Sequence, residues 1–440
     1  MAETFNPRDM VLPPFVTCPK CGQEEFGVHL IDDDRYLRRC RSCWHKQFLP
    51  LPKLRKKIIY LDQFVVSNLM KLDNPGFQRG DRLVKEVFWT DLRDLLMQLR
   101  KMQLICCPNS GSHEVESRIS EFNDELKRTY EALSGAIHFY SFHEIGSHQI
   151  GELALAWSEN REPQFDVDPR CALTKDPHEW SERFYITFGN NPFVVPAELR
   201  QSRREVESHI SGLFRDVWAK EKQTFKYWYD LERRGYQGIL YKAVMKSREE
   251  RAQAILAFRP GVQPSLENAV RMMYSPAEAI HESLKRIMRF PRAGGERSPA
   301  ERDKLEKSFG DANRISEAPF VKLQALMYAS LAMRAASGQK ELPNEGTATD
   351  IDTVAHLLPF CDAMLMDNGC RSLLLDNVPK ELRPADAAKV FSPNIREEFM
   401  TYLRSIRDGV KPEHLAALRE VYGEDYLKTD PATPSTVATE

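Results

Sequence analysis

Four cysteines near the N-terminus constrain the folding of this chain more tightly than any other feature. They form two pairs, Cys18-x-x-Cys21 and Cys40-x-x-Cys43, which are separated by about 18 residues. Each pair presents two thiolates from one tight turn, and two such turns complete the tetrahedron that Zn²⁺ prefers. Because all four positions are cysteines, the pattern predicts a closed structural zinc site in a zinc ribbon over residues 14–50.

The residues between the two cysteine pairs have the alternation of a β-hairpin. Phe26, Val28 and Leu30 alternate with other residues, Tyr36 and Arg38 do the same, and the acidic run 32–34 separates the two segments. We therefore expect an N-terminal zinc-ribbon β-hairpin module. His29 and His45 lie nearby and are interpreted as surface residues, since four thiolates already fill the coordination shell of the metal.

Bulk properties restrict the remaining possibilities. The chain has 440 residues, 42% of them apolar, which predicts two or three domains with real cores. No apolar run reaches the length of a membrane span, and the first residues lack the pattern of a signal peptide. We therefore expect a cytoplasmic protein with no membrane partner and with reduced thiols, so the other five cysteines are interpreted as small buried side chains.

A basic segment follows the ribbon's acidic turn. Between Arg35 and Lys57 the sequence has nine lysines or arginines and no acid. Such a flank favours contact with the phosphates of a nucleic acid, but it is equally typical of a solvated surface and a charged linker. The candidate nucleic-acid-binding residues are Arg38, Arg39, Arg41, Arg55, Lys56 and Lys57.

Acidic residues recur where predicted β-strands end or where the next helices begin. Asp62 follows the apolar run 58–61, and Asp367 follows the predicted strand 363–366. Glu114 and Glu116 begin the helix after the predicted strand 104–108. In open α/β sheets, sites form at the carboxyl ends of strands. Helix capping and the helix dipole explain several of these acids individually, so that alternative stays open.

A second acidic pair, Asp350 and Asp352, begins a predicted helix that Pro359 ends. Carboxylates gathered at one sheet edge repel one another and need a cation. Mg²⁺ and Mn²⁺ take oxygen ligands from such a set and support phosphodiester hydrolysis.

At these positions the chain resembles the PIN-like nucleases. The matching segments are YLDQFVVSNL (60–69), PNSGSHEVES (108–117), DTVAHLLPFCDAMLMD (352–367) and VFSPNIREEFMTYL (390–403). The resemblance covers residues 58–150 and 345–406. It implies a three-layer α/β fold with a central parallel sheet. It also implies an acidic quartet that binds Mg²⁺ or Mn²⁺, and endonuclease action, usually on RNA.

The resemblance also implies roles for individual residues. The catalytic acids would be Asp62, Glu116, Asp352 and Asp367, with Asp350 as an alternative third acid. Asp362 would be an accessory ligand, and Glu114 lies beside the second acid. Ser110 and His113 match the motif, and we expect them to orient the Glu116 segment, with substrate contact by His113 or a plain surface position as alternatives.

The domain organisation follows from these segments. We predict a PIN-like first part over 54–150, a large mainly α-helical insertion over 151–340, a second part over 345–410 and a disordered tail over 428–440. Within the insertion, the polar stretch 290–317 is predicted to be a loop. The insertion is also the expected surface for a protein partner or for a homo-oligomer.

The sequence thus predicts a metal-dependent endoribonuclease with one structural zinc ion, catalytic Mg²⁺ or Mn²⁺, and RNA as the partner. Two alternatives remain open. The first is an inactive PIN-like module that binds RNA or a protein, and the second is a DNA nuclease of a defence or toxin system. The sequence has no complete glycine-rich phosphate loop, so nucleotide hydrolysis is unsupported.

Overall fold

The computed structural model describes residues 6–74, 76, 86–181, 196–290, 295–344, 346–424 and 426. The predicted tail, 428–440, lies outside the described residues. Within them, every helix is too short or too polar to cross a lipid bilayer.

The described strands form two four-stranded sheets. The N-terminal sheet is antiparallel and has the order β1 (Leu12–Val16), β2 (Phe26–Asp32), β3 (Arg35–Cys40) and β4 (Lys46–Pro50). The central sheet is parallel and has the order β6-β5-β7-β8, formed by β5 (Lys57–Leu61), β6 (Ile105–Cys106), β7 (Ala363–Leu365) and β8 (Val390–Phe391).

The helices of the described segments fall into three runs. The first contains α1 (Gln63–Asp73), α2 (Val87–Lys101), α3 (Gly111–Ile119), α4 (Asn123–Ser134) and α5 (Phe142–Ser158). The second contains α6 (Pro196–Leu213), α7 (Phe225–Ala257), α8 (Leu266–Met272), α9 (Pro276–Arg289), α10 (Pro299–Asp311) and α11 (Pro319–Ala336). The third contains α12 (Thr347–Leu357), α13 (Asn368–Leu375), α14 (Arg396–Asp408) and α15 (Pro412–Tyr422).

The central sheet has helices on both faces, because alternate residues of its strands point to opposite sides. Ile58 and Tyr60 pack into the core that includes α11, α12 and α13. Ile59 and Leu61 pack into the opposite core, which α1, α2, α4 and α14 complete. The predicted α/β class with a central parallel sheet is therefore confirmed.

The N-terminal sheet is larger than the predicted hairpin. The hairpin is β2–β3, and β1 and β4 add one strand on each side. One face of this sheet packs against α15, with Tyr36 donating a hydrogen bond to Glu420 Oε2 at 3.0 Å. The C-terminal helix therefore anchors the N-terminal module, a contact that the sequence did not predict.

The described part of the segment predicted as an insertion, 151–340, contains helices α6 to α11. The predicted boundary at residue 150 falls inside α5, and α11 belongs to the core against the central sheet through Leu326 and Met327. The stretch predicted to be a loop contains α10, which begins with a capping box between Ser298 and Glu301. The loop prediction is therefore wrong over the described part of 290–317, since the capping box starts a helix there.

Gly27 on β2 allows β1 to pack closely against the rest of the ribbon sheet. A Cβ atom at this position would collide with the Leu12 carbonyl oxygen and would lie 2.6 Å from a ring carbon of Phe15. We expect Gly27→Ala to lower the free energy of unfolding of the ribbon by about 1–3 kcal/mol, because the strands must separate. Urea unfolding monitored by tryptophan fluorescence measures this loss.

Gly212 provides the matched control for this substitution. It lies within α6 and has nothing within 4 Å of an added Cβ, so Gly212→Ala should stabilise by about 0.5–1 kcal/mol. Equal effects of the two substitutions would show that β1 does not depend on the close approach at Gly27.

Candidate functional site

The four N-terminal cysteines converge on one point. Cys18 Sγ lies 3.7 Å from Cys43 Sγ, and Cys21 Sγ lies 3.6 Å from Cys40 Sγ. All four sulfur atoms lie within 4.8 Å of one another. Tetrahedral zinc with Zn–S bonds of about 2.3 Å places its sulfur ligands about 3.8 Å apart, so this group can hold a structural metal ion such as zinc.

Two equivalent backbone turns present these thiols. The Gly22 amide donates to the Cys18 carbonyl and the Trp44 amide donates to the Cys40 carbonyl, both at 3.0 Å. Gly22 and Trp44 each have positive φ, at 73° and 57°. Glycine adopts this conformation without strain, whereas Trp44 needs support, which Arg39 gives by lying over its ring at 4.8 Å.

We expect Cys40→Ser to abolish metal retention by this module and to unfold the N-terminal sheet. The thiolate is a far better ligand than the hydroxyl, and the metal contributes directly to the folding energy of such sites. Metal content per chain, measured by inductively coupled plasma mass spectrometry, checks the first effect.

Cys171→Ser is the control, because Cys171 is exposed and lies outside this group. A Cys40→Ser protein that retained a full equivalent of metal would contradict the assignment.

A second candidate site lies at the carboxyl edge of the central sheet. Asp62 directly follows β5 and Asp367 follows β7 with one residue between them. The two strands are neighbours, and the Asp62 amide donates to the Leu365 carbonyl at 3.0 Å. Each aspartate also caps the next helix: Asp62 Oδ1 accepts from the Gln63 amide at 2.7 Å, and Asp367 Oδ1 accepts from the Cys370 amide at 2.5 Å. The caps fix both carboxylates at this edge.

The electrostatics show which other acids lie close to Asp62. Burial, together with the charges of Glu116 and Asp367, raises the pKa of Asp62 from 3.8 to about 7. The pKa of the buried thiol of Cys370 is raised by burial and then by Asp350, Asp367 and Asp62. Asp62 thus lies near Glu116 and Asp367, and Asp350 lies near Cys370 together with Asp62 and Asp367; we call these four acids the acidic edge.

Asp352 lies elsewhere, although it is only two residues from Asp350. Positions two apart on a helix differ by about 200° around the axis, so they point to different sides. Asp352 Oδ1 accepts a hydrogen bond from Gln324 on α11 at 2.5 Å, and burial raises its pKa to about 6. Asp352 therefore contacts α11 rather than the acidic edge, whereas the alternative third acid, Asp350, lies near Cys370.

A layer of stacked rings supports the acidic edge. The buried imidazole of His113 lies between Tyr60 and Tyr130, with ring centroids 4.8 and 4.6 Å away. Its Nδ1 lies 3.1 Å from Asn109 Oδ1, and burial lowers the pKa of His113 to about 3, so the ring is neutral. His113 is therefore a buried supporting residue, and the alternative of a surface position is wrong.

Hydroxyl groups join the elements that present the acids. Ser110 caps α3 and accepts from the His113 amide at 3.4 Å, while its hydroxyl lies 2.8 Å from that of Ser112. Ser112 in turn lies 3.5 Å from Thr353 on α12. This chain of contacts ties the start of α3, which precedes Glu116, to the helix that bears Asp350.

The acidic edge differs from the cysteine site in compactness. Within the described residues, the four cysteines are the one group of three or more metal-ligating side chains whose ligand atoms all lie within 4.8 Å of one another. The carboxylates of the acidic edge are therefore more widely spaced than the ligands of a preformed cage.

Two predicted accessory acids lie away from this region. Asp362 precedes β7 at the opposite, amino edge of the sheet, where it pairs with Lys57 at 2.8 Å and accepts from the Ile58 amide. It is not an accessory ligand of the acidic edge. Glu114 is exposed and lies 3.9 Å from Arg118 and 3.7 Å from His138.

The predicted basic residues divide into buried and accessible groups. Arg38 is 5% exposed and donates to the carbonyls of Pro14, Phe26 and Glu420. Lys56 is also 5% exposed, donates to the Glu179 carbonyl, and has its pKa lowered by burial to about 8. Neither side chain is available to a phosphate, so Arg38 and Lys56 are removed from the candidate nucleic-acid-binding residues.

The other four basic residues have different surroundings. Arg41 donates to the Val11 carbonyl at 2.7 Å and lies over the ring of Phe15, so it holds β1 in place. Lys57 is paired with Asp362, as described above. Arg39 is half-buried beside Trp44, and its Nε atom is shielded from solvent, whereas Arg55 is exposed.

Comparison with known proteins identifies no relative of this chain. No family model, no curated protein and no solved structure matches the chain. Functional inference therefore depends on the two sites themselves.

The raised pKa of Asp62 predicts a pH dependence of stability in protein without bound Mg²⁺ or Mn²⁺. In the folded state the carboxyl of Asp62 keeps its proton up to about pH 7. In the unfolded chain it loses this proton near pH 3.8. The protonated carboxyl therefore contributes its full stabilisation below about pH 3.8, its pKa in the unfolded chain. This contribution is lost as the pH rises through about 7, its pKa in the folded protein. We therefore expect Asp62→Asn to gain free energy of unfolding relative to the parent as the pH rises from about 4 to about 8, measured by urea unfolding in buffer without Mg²⁺ or Mn²⁺.

Asp362→Asn is the matched control at the opposite sheet edge. Its charge is paired with Lys57, so its removal should not stabilise the protein as the pH rises. A constant difference between Asp62→Asn and the parent at all pH values would refute the electrostatic interpretation.

Proposed function

We propose that this protein is a metal-dependent endonuclease that acts on RNA. In this proposal Asp62, Glu116, Asp350 and Asp367 bind Mg²⁺ or Mn²⁺ at the acidic edge. The observation that supports it is the mutual effect of these acids on the pKa values of Asp62 and Cys370, from elements far apart in sequence. Carboxylates held together against their repulsion are typical of a cation site.

The residues of the acidic edge fit a divalent cation in chemistry and in spacing. Their donors are carboxylate oxygens, the ligands that Mg²⁺ and Mn²⁺ prefer. Mg²⁺ usually keeps several waters and is bound through one or two carboxylates together with substrate phosphates. The wider spacing of these acids suits such a site better than it suits a closed protein cage.

Each residue would have a distinct task. A bound divalent cation would neutralise phosphate charge and lower the pKa of water, which is the chemistry that hydrolysis of a phosphodiester needs. Asp62 and Asp367 are held at the edge by their helix caps, so their carboxylates stay in position. The buried stack of Tyr60, His113 and Tyr130 lies near Asp62, whose charge contributes to the raised pKa of both tyrosines.

The ribbon would have a separate, structural task in this proposal. We assign Zn²⁺ to the four cysteines, since a Cys₄ tetrahedron is typical of structural zinc. Arg39 and Arg55 are the residues through which the ribbon and its linker would contact RNA phosphates.

The two alternative functions differ from the proposal in their need for a metal at the acidic edge or in the polymer that they cleave. An RNA- or partner-binding module needs the scaffold but no metal at the acidic edge, and a DNA nuclease uses the same chemistry on another polymer. The convergence of four acids favours catalysis over binding, because a site that only binds a polyanion gains nothing from clustered negative charge.

We expect the purified protein to cleave labelled single-stranded RNA when Mg²⁺ or Mn²⁺ is present. Asp62→Asn and Asp350→Asn should each lower the cleavage rate by about 100-fold or more, because each removes a charged ligand of the cation. Asp352→Asn should lower it by less than about tenfold, since Asn also accepts the hydrogen bond from Gln324.

Asp362→Asn is the charge-matched control, and labelled single-stranded DNA of the same sequence tests the polymer. Preferential cutting of DNA would select the DNA nuclease. RNA binding without cleavage by the parent at any metal concentration would select the binding module. Loss of activity in Asp352→Asn but not in Asp350→Asn would reverse our assignment of the third acid.

A further inference from the structure

The long helix of the insertion, α7, has one face packed and one face open along 33 residues. Its inner side contributes Tyr236, Leu240, Val244 and Ala254 to contacts with neighbouring helices. Nothing in the described part of the chain covers the opposite side. An ordinary surface helix carries polar residues on that side.

The open side of α7 is instead rich in apolar residues. Tyr227 is 43% exposed, Leu231 44%, Met245 48% and Leu256 85%. Gly238 lies between Leu231 and Met245, and an added Cβ there would meet nothing within 4 Å. We call this surface, with the exposed Arg234, Tyr241, Lys242, Glu249 and Ala252 that complete it, the α7 stripe. Contiguous exposed apolar surface of this kind marks an interaction site.

We propose that the α7 stripe binds the same stripe of a second copy of this chain, with the two helices antiparallel. A symmetric dimer uses one surface twice, so the surface must complement itself about a two-fold axis. The α7 stripe satisfies this condition when the axis passes between Tyr241 and Lys242.

In that register, each residue of the α7 stripe faces a chemically compatible residue of the second copy. Arg234 faces Glu249 of the second copy, and the symmetry repeats this pair on the other side of the axis. Met245 faces Gly238 of the second copy, where the missing side chain leaves room for the thioether. Leu231 faces Ala252, and Tyr227 faces Leu256, so apolar groups meet at both ends.

Charge complementarity also selects this register over a neighbouring one. An axis at Gly238 sets Arg234 against Lys242. That alternative brings like charges together, which specific interfaces avoid. The register centred between Tyr241 and Lys242 instead brings Lys242 onto the ring of Tyr241 of the second copy, a favourable cation–π arrangement.

A single-stranded nucleic acid is the competing occupant, since the stripe contains Tyr227, Tyr241, Arg234 and Lys242. The exposed Glu249 and the apolar ends at Leu231 and Leu256 favour a protein surface, because neither feature attracts a phosphate backbone. The proposal is independent of the acidic edge and of its activity.

The test is the oligomeric state of the full chain in solution, measured by light scattering coupled to gel filtration and by analytical ultracentrifugation. We expect the parent to form a dimer. Arg234→Glu and Glu249→Arg should each weaken the dimer at least tenfold, since each places like charges opposite one another twice. The double variant Arg234→Glu/Glu249→Arg should regain the dimer, because the pair is restored with its signs exchanged.

Met245→Glu gives a second test, because it puts a carboxylate where the thioether should enter the space at Gly238. Lys304→Glu on α10 is the control for charge reversal on an exposed helix, and it should leave the dimer unchanged. Circular dichroism of each variant checks that the fold is intact.

Two outcomes would overturn the proposal. A parent that stays monomeric at the highest soluble concentration would exclude the dimer. A dimer that Met245→Glu and the single charge reversals leave intact, or that the double variant fails to restore, would exclude this stripe or this register. Binding of labelled single-stranded RNA that Met245→Glu abolishes in a monomeric parent would assign the stripe to nucleic acid instead.

Discussion

The pairing of β5 with β7 is the interaction on which the acidic edge depends. Their parallel register places Leu61 beside Leu365, so the residues that follow both strands emerge at the same edge. The hydrogen bond from the Asp62 amide to the Leu365 carbonyl extends this pairing to the first acid itself. A shift of one residue in either strand would turn its side chains to the other face and would move the acid that follows it away from its neighbour.

Placing four carboxylates at this edge costs free energy that the scaffold has to supply. Burial and mutual repulsion raise the pKa of Asp62 to about 7, so in the absence of a cation the ionised site opposes folding. The two cores on either side of the sheet, the helix caps at Asp62 and Asp367, and the ring stack at His113 hold the acids in place nevertheless. Strain of this kind concentrates at functional sites, which is why the pKa of Asp62 supports the proposed cation site.

Local sequence signals predicted the parts of the structure that depend on neighbouring residues. The cysteine spacing, the strand before Asp62 and the helix that Ser110 caps were predictable, because each is a short-range pattern. The capping box of Ser298 and Glu301 was also present in the sequence, but the surrounding glycine and proline residues favoured a loop. The roles of Arg38 and Lys56 were not predictable, since their carbonyl partners come from distant segments.

The sequence by itself determined the four cysteines that can hold a metal, the α/β class and the acids from which we propose a site. Tertiary structure alone decided which acids meet: Asp350 and Asp352 are almost equivalent as sequence, but helix α12 turns the first toward Cys370 and the second toward Gln324. It also decided that Asp362 belongs to the opposite edge, and that α15 packs on the ribbon. The physical reason is that spacing fixes the direction of a side chain only relative to its own helix or strand, whereas its partners depend on how those elements pack.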